Sequence, residues 1–315
     1  RKEPVHLYTY PGEAEELETA RRRAIRLSDR NLPRRSRKKG RPFTGCRGDD
    51  ARHTLDEVKS GACSAFTFVA GMDDTSLRKL VCYFCFCPSD VPGALGASAE
   101  LPRYGLQPMT IASGVCGLAL KKDLEQDDGT VRHQYTTGFP APGMLACSFD
   151  PDLIFSVGKA IGREMQEYGV AFCLAPGCAL QRTPFDAVSQ ESWSEDPVLT
   201  GLCALFFCKG VQTHGAAILR TGTLPRSLDI RLSSLRDIYA LPFEIAASAC
   251  KAALLPDSIV NGEALGEDCD LIRSLIIDWK FSGMFLSDGE RYTQEPDRET
   301  LERSALRIVR VLTQK

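Results

Sequence analysis

The chain is 315 residues long, with 39 Lys+Arg against 41 Asp+Glu, a formal charge of −2 and a 43 % apolar fraction. That is the composition of a soluble globular chain, and no run approaches the roughly 18 consecutive apolar residues of a membrane helix. At roughly 150 residues per domain the length admits two domains, or one α/β barrel of about 250 residues with an extension.

The charge is unevenly placed. Residues 1–52 carry 15 Lys+Arg and 8 Asp+Glu, net +7, whereas the rest carry 24 and 33, net −9. The basic excess gathers between Arg21 and Arg41, where Asp29 is the only acid. Such a run can hold phosphates by counterion release, but no aromatics are interleaved to stack bases, so it reads as solvated linker and argues against a nucleic-acid partner. Arg47-Gly48-Asp49 reads as a loop tripeptide. A helix is predicted at 13–27, followed by Pro33, Gly40, Pro42 and Gly45 among charges with no core-facing period. Residues 1–54 are therefore expected to be a basic extension or linker, and 55–315 the folded domain. The chain opens on Arg1-Lys2-Glu3 without an apolar signal segment, and its 13 cysteines are an odd number that full pairing cannot use. Buried free thiols in a reducing cytoplasm are the expectation.

Beyond residue 55, short apolar runs alternate with amphipathic stretches. Asp150-Pro151 pairs an N-cap with a first-turn proline, and Leu153, Val157, Ile161 and Met165 follow on one face until Gly169 closes the helix. Val170 to Leu174, ended by Pro176-Gly177, reads as a strand buried on both faces. The alternation continues with helix at 195–209, strand at 216–219, helix at 233–249, strand at 252–255, helix at 268–279, strand at 284–286 and helix at 299–312. This spacing predicts βα units and a parallel sheet, whose ligands meet the C-terminal strand ends. The positions to examine are then Ser113, 176–182, 220–223, 256–258 and Ser287-Asp288.

Nine segments occur in an order that resembles a known family. They are Met109-Thr110-Ile111-Ala112, Ser148-Phe149-Asp150-Pro151-Asp152-Leu153, Arg182-Thr183-Pro184, Ser194-Glu195-Asp196-Pro197, Lys209-Gly210-Val211-Gln212, Leu235-Arg236-Asp237-Ile238-Tyr239, Phe243-Glu244-Ile245, Val260-Asn261-Gly262 and Phe281-Ser282-Gly283-Met284-Phe285-Leu286-Ser287-Asp288. Together they resemble the barrel domain of glycoside hydrolase family 3, the β-glucosidases. Asp56-Glu57-Val58-Lys59-Ser60-Gly61, Phe68-Val69-Ala70 and Leu101-Pro102-Arg103-Tyr104-Gly105 resemble the start of that barrel.

The resemblance implies an α/β fold, a (β/α) TIM-type barrel, acting without a cofactor on terminal β-glycosides with retention of configuration. That chemistry needs two carboxyl groups about 5–5.5 Å apart. Asp288 stands at the nucleophile position, and Arg182 and Glu191 are retained supports of the sugar pocket. The rest departs from the pattern. Ser113-Gly114-Val115 replaces the Asp-Gly-Pro that holds sugar hydroxyls, Val188 replaces an Arg, and Thr221-Gly222 replaces a Lys-His pair. Asp257-Ser258 replaces Tyr-Asn, and Gly289 replaces the Trp after the nucleophile. No general acid is nominated among Glu191, Glu263 and Glu290. Charge-assisted hydrogen bonds to sugar hydroxyls contribute roughly 1.5–3 kcal/mol each, so activity is expected to be impaired or absent. The alternative is a pseudoenzyme that binds sugar or a protein partner. With 27 residues after Asp288, the barrel is expected to be incomplete, and its open edges invite self-association unless the helix at 299–312 covers them.

Cys82, Cys85 and Cys87 lie close together in an apolar run with no His nearby, so buried thiols are expected rather than a metal site. His6, His53, His133 and His214 form no metal or triad spacing, and no dinucleotide fingerprint or P-loop appears. Trp193 and Trp279 read as packing residues rather than sugar platforms.

Overall fold

A computed structural model of the chain describes residues 53–82, 84, 87–125, 128–182, 190–220, 227–255, 259–264, 272, 279, 281–287 and 297–313. The basic extension falls almost wholly outside them, as does most of the predicted helix at 268–279.

Three short helices come first: α1 (Leu55–Ser60), α2 (Ala65–Ala70) and α3 (Asp74–Cys82). The first two are held at their N-termini by side-chain oxygens, with Thr54 accepting from the Glu57 N–H at 3.4 Å and Ser64 from the Thr67 N–H at 3.0 Å. Two strands follow, β1 (Gly96–Ala97) and β2 (Thr110–Ser113), then a small hairpin of β3 (Asp123–Glu125) and β4 (Val131–His133). Next come α4 (Pro142–Ala146), α5 (Pro151–Tyr168) and β5 (Val170–Leu174). The predicted cap of α5 is observed: the Asp150 carboxylate accepts from Asp152 N and Leu153 N at 2.9 and 3.1 Å. Val157, Ile161 and Met165 are buried as expected, but Leu153 is 42 % exposed. The buried stripe runs through Ile154 instead, one position round the helix.

The remaining elements are α6 (Pro197–Val211), β6 (Ala216–Arg220), β7 (Ser227–Leu228), α7 (Leu232–Ser234), α8 (Leu241–Ala247), β8 (Ala252–Leu255), β9 (Ile259–Val260), β10 (Glu263–Ala264), β11 (Met284–Ser287) and α9 (Arg298–Thr313). Helix α6 starts two residues later than predicted because Asp196 is its N-cap, accepting from Leu199 N at 2.7 Å, with Pro197 in the first turn. The single helix expected at 233–249 is broken. A π-type turn over Leu235–Tyr239 ends α7, and α8 restarts with Pro242 in its first turn. Proline has no N–H to donate and its ring collides with the carbonyl four residues back, so it disfavours a helix interior and sits instead in the first turn of α8.

The main sheet has the order β1-β2-β5-β6-β8-β11. Strands β2, β5, β6, β8 and β11 run parallel, each to its neighbour, and β1 joins β2 antiparallel at the edge. The sheet curls into half of a (β/α) barrel, so the TIM-type architecture is present as far as five consecutive parallel strands. Its strands bury both faces. Ala112, Cys173, Ala217 and Leu219 meet α5 and α6 on the side where the crossover helices lie. Ile111, Phe172, Ile218, Met284 and Leu286 meet α1–α3 and α9 on the other side. Helix α9 packs directly on β11, the last strand of the sheet among the described residues.

Candidate functional site

Parallel strands aim their carboxyl ends at one side of the sheet, where the residues just after β2 and β5 lie with Arg220, the last residue of β6. A cavity of about 360 Å³ opens beside Ser113, lined also by Cys116, Leu118, Thr137, Gln190 and Glu191. Two backbone approaches shape it. Gly114 follows β2 so closely against β5 that a Cβ there would sit 2.0 Å from the Cys173 sulfur. Gly117 has φ +107°, and a Cβ there would meet the Thr137 carbonyl oxygen at 2.0 Å. Both positions admit no side chain.

Glu191 is held by an ion pair. Arg220, the last residue of β6, donates from Nη1 to Glu191 Oε2 at 2.6 Å. The arginine backbone is fixed in turn: its N–H donates to the Pro176 carbonyl at 2.9 Å and its carbonyl accepts from Cys178 N at 2.8 Å. The 190–191 segment also lies against the loop after β5, since a Cβ on Gly177 would approach the Glu191 carbonyl to 2.8 Å. Beside this pair, partial burial and then the Glu191 charge push the Cys116 thiol above its ordinary pKa. Deeper in the sheet, burial raises the Cys173 thiol to about 12, so it stays protonated and inert.

Of the predicted site residues, Ser113 and Glu191 are brought together at the cavity. Arg182 is not among its lining residues; its guanidinium stacks over Tyr239 at 4.9 Å from the ring centre, and Nη1 donates to the Tyr239 hydroxyl. Asp257 and Asp288 lie outside the described residues. Sequence reasoning marked Arg220 only as a strand end; its carboxylate partner is 29 positions away and no local pattern announces it. Cys116 went unmarked. Trp193 is buried and packs edge-on against Phe207 at 5.9 Å, as a core residue. Among the described residues no group of three or more His, Cys, Asp or Glu is arranged to hold a metal ion, and no helix is long and apolar enough to cross a membrane.

Comparison with known proteins places these features. Residues 106–223, from just before β2 to just past β6, match the family profile described as "Glycosyl hydrolase family 3 N terminal domain". Beta-glucosidase A of Butyrivibrio fibrisolvens is 30 % identical over 211 residues, 62 % of this chain and 24 % of that protein. Probable beta-glucosidase I of Aspergillus niger is 33 % identical over 162 residues, 48 % of this chain and 20 % of that protein. Among solved structures, beta-glucosidase 3B of Thermotoga neapolitana in complex with α-D-glucose superposes with a TM-score of 0.67 at 26 % identity, over 82 % of this chain and 42 % of that one. The chain thus spans about a quarter of the length of the curated relatives and less than half of the solved one.

Proposed function

The chain carries a glycoside hydrolase family 3 domain of the β-glucosidase type, and from that premise we propose that its strand-end cavity binds a small carbohydrate, with hydrolysis impaired or absent. By descent the reaction is retaining cleavage of terminal β-glycosides, with Asp288 at the nucleophile position. One observation carries the reading of lost activity. Glu191, a carboxylate at the cavity, is already held by Arg220 at 2.6 Å. Retaining chemistry asks for a second carboxyl group about 5–5.5 Å from the nucleophile, free to give and take a proton. Ser113 offers only a neutral hydroxyl where the family pattern has a carboxylate for the sugar, and Arg182 is committed to Tyr239. Ser113, Thr137, Gln190 and Glu191 give the cavity polar groups suited to sugar hydroxyls, which supports the reading of a binding protein descended from an enzyme. The described cysteines are all free thiols, which supports a reducing, cytoplasmic setting. Pairing through β11, the last strand of the main sheet among the described residues, is a route to self-association under this reading.

Two measurements test it. With a chromogenic β-glucoside, the rate of the unaltered chain should not exceed that of Asp288→Ala; turnover abolished by that change establishes a working hydrolase and refutes the proposal. Calorimetric titration with gluconolactone should give saturable heat, weakened in Glu191→Gln. No heat in any titration removes the binding function.

A further inference from the structure

Helix α6 is apolar on every side, in the sequence Pro197-Val-Leu-Thr-Gly-Leu-Cys-Ala-Leu-Phe-Phe-Cys-Lys-Gly-Val211. A helix of that kind belongs between other elements. Its inner side is accounted for: Cys203, Ala204, Phe207, Cys208 and Val211 are buried in the core with α5 and the sheet. Its outer side is only partly covered: Val198 is 47 % exposed and Leu202 41 %, and half-buried Phe206 packs only in part against that core. Exposed Glu195 stands just before the helix and exposed Lys209 near its end.

These residues form a seam. Positions 195, 198, 202, 206 and 209 follow one another at steps of three or four, the spacing that keeps one line of a helix facing a partner helix. The seam is also self-complementary when reversed. Val198 and Phe206 lie equally far from Leu202 in opposite directions, and so do Glu195 and Lys209. We propose that α6 is a homodimer contact, in which two copies of this chain pack α6 antiparallel about a twofold axis at Leu202. Each Leu202 then meets its own counterpart, each Val198 meets the partner's Phe206, and each Glu195 lies beside the partner's Lys209. The arrangement is isologous, so the same patch serves both subunits and the assembly closes at two. The charges select the direction: a parallel pairing sets Lys209 against the partner's Lys209 and Glu195 against the partner's Glu195. Lys209 already lies over the Phe206 ring at 5.3 Å, which holds its ammonium at the seam. One helix face is a small contact, of the size class of weak and transient interfaces, so the dimer is expected to exchange with monomer.

Sedimentation equilibrium of the full chain over a concentration series tests this. The weight-average mass should rise from 34.6 kDa toward twice that value as concentration reaches tens of micromolar. Leu202→Asp should hold the chain at monomer mass with an unchanged circular dichroism spectrum. Lys209→Glu should weaken association by about tenfold, and the exchanged pair Glu195→Lys with Lys209→Glu should restore it, which loss of folding cannot mimic. A wild-type chain that stays monomeric, as it would if the seam seats a different protein or a further segment of a longer chain, overturns the proposal. So does a dimer that survives Leu202→Asp, which would then form through another surface such as the β11 edge. A charge exchange that fails to restore association overturns the antiparallel register.

Discussion

The carboxylate of Asp73 joins the start of α3 to the turn over Pro102–Tyr104. It accepts from Ser76 N and Ser76 Oγ at 2.8 Å each and from the Tyr104 hydroxyl at 3.0 Å. Partial burial pushes the acid's pKa up, but these three donors together outweigh it and hold the carboxyl below its ordinary value. A group whose folded pKa is depressed contributes stability in full above its unfolded value, near about 3.9, and loses it as pH falls through the folded value. In urea unfolding, Asp73→Asn should therefore be less stable than the unaltered chain at neutral pH, and the difference should shrink as pH drops below about 4. A pH-independent difference would assign the effect to packing. The Tyr104 bond was not legible in the sequence, because Asp73 and Tyr104 are 31 positions apart. Asp150 was legible: its hydrogen bonds stay within three residues, and a proline beside it marks the helix start. The candidate site divides in the same way. The strand-end rule found Ser113, whereas the Arg220–Glu191 pair depends on how two distant loops meet.

At the scale of elements, α5 and α6 touch through missing side chains. A Cβ on Gly158 would lie 2.5 Å from the Phe207 carbonyl oxygen, one on Gly162 would lie 2.7 Å from that of Val211, and one on Gly210 would meet the Phe155 carbonyl oxygen at 2.2 Å. Backbone faces backbone, and a backbone carbonyl cannot swing aside as a flexible side chain can. In an isolated helix Gly158→Ala would stabilise by up to about 1 kcal/mol through propensity. Here the forced separation of the helices costs more, so the net effect expected is a loss of about 2 kcal/mol, read as a lower denaturant midpoint at unchanged slope. An increase in midpoint would show that the helices can part freely. Periodicity exposed both helices from the sequence and placed β5 and β8 with their observed bounds. It placed Leu153 inside because a run of apolar residues at every fourth position drifts round a helix of 3.6 residues per turn. It missed the break before α8 because apolar periodicity was followed through Pro242, where backbone chemistry overrules it.

On the scale of the whole molecule, the question is how half of a barrel stays folded. A closed barrel fills its interior with its own strands' side chains. Here Ile111, Phe172, Ile218, Met284 and Leu286 would face water on a bare half-sheet, and α1–α3 with α9 take the place of the opposite wall. Leu301, Ala305, Ile308 and Val309 supply the apolar side of α9. Its first turn is pinned by Arg298, whose Nε donates to Glu302 at 2.6 Å, whose Nη2 donates to the Met72 carbonyl at 3.0 Å, and whose Nη1 pairs with Asp74. Glu302 is buried, so the arginine also neutralises a charge that would otherwise be stranded. Two changes separate apolar covering from the pin. Ending the chain before Asp297 removes the cover altogether, and the expected product binds the dye ANS and loses its cooperative unfolding transition. Arg298→Met keeps the cover but strands Glu302, at a cost of about 1–3 kcal/mol that Glu302→Gln in the same chain should largely recover. If the shortened chain still unfolds cooperatively without binding dye, α9 is dispensable and the half-sheet is held from the α5–α6 side alone.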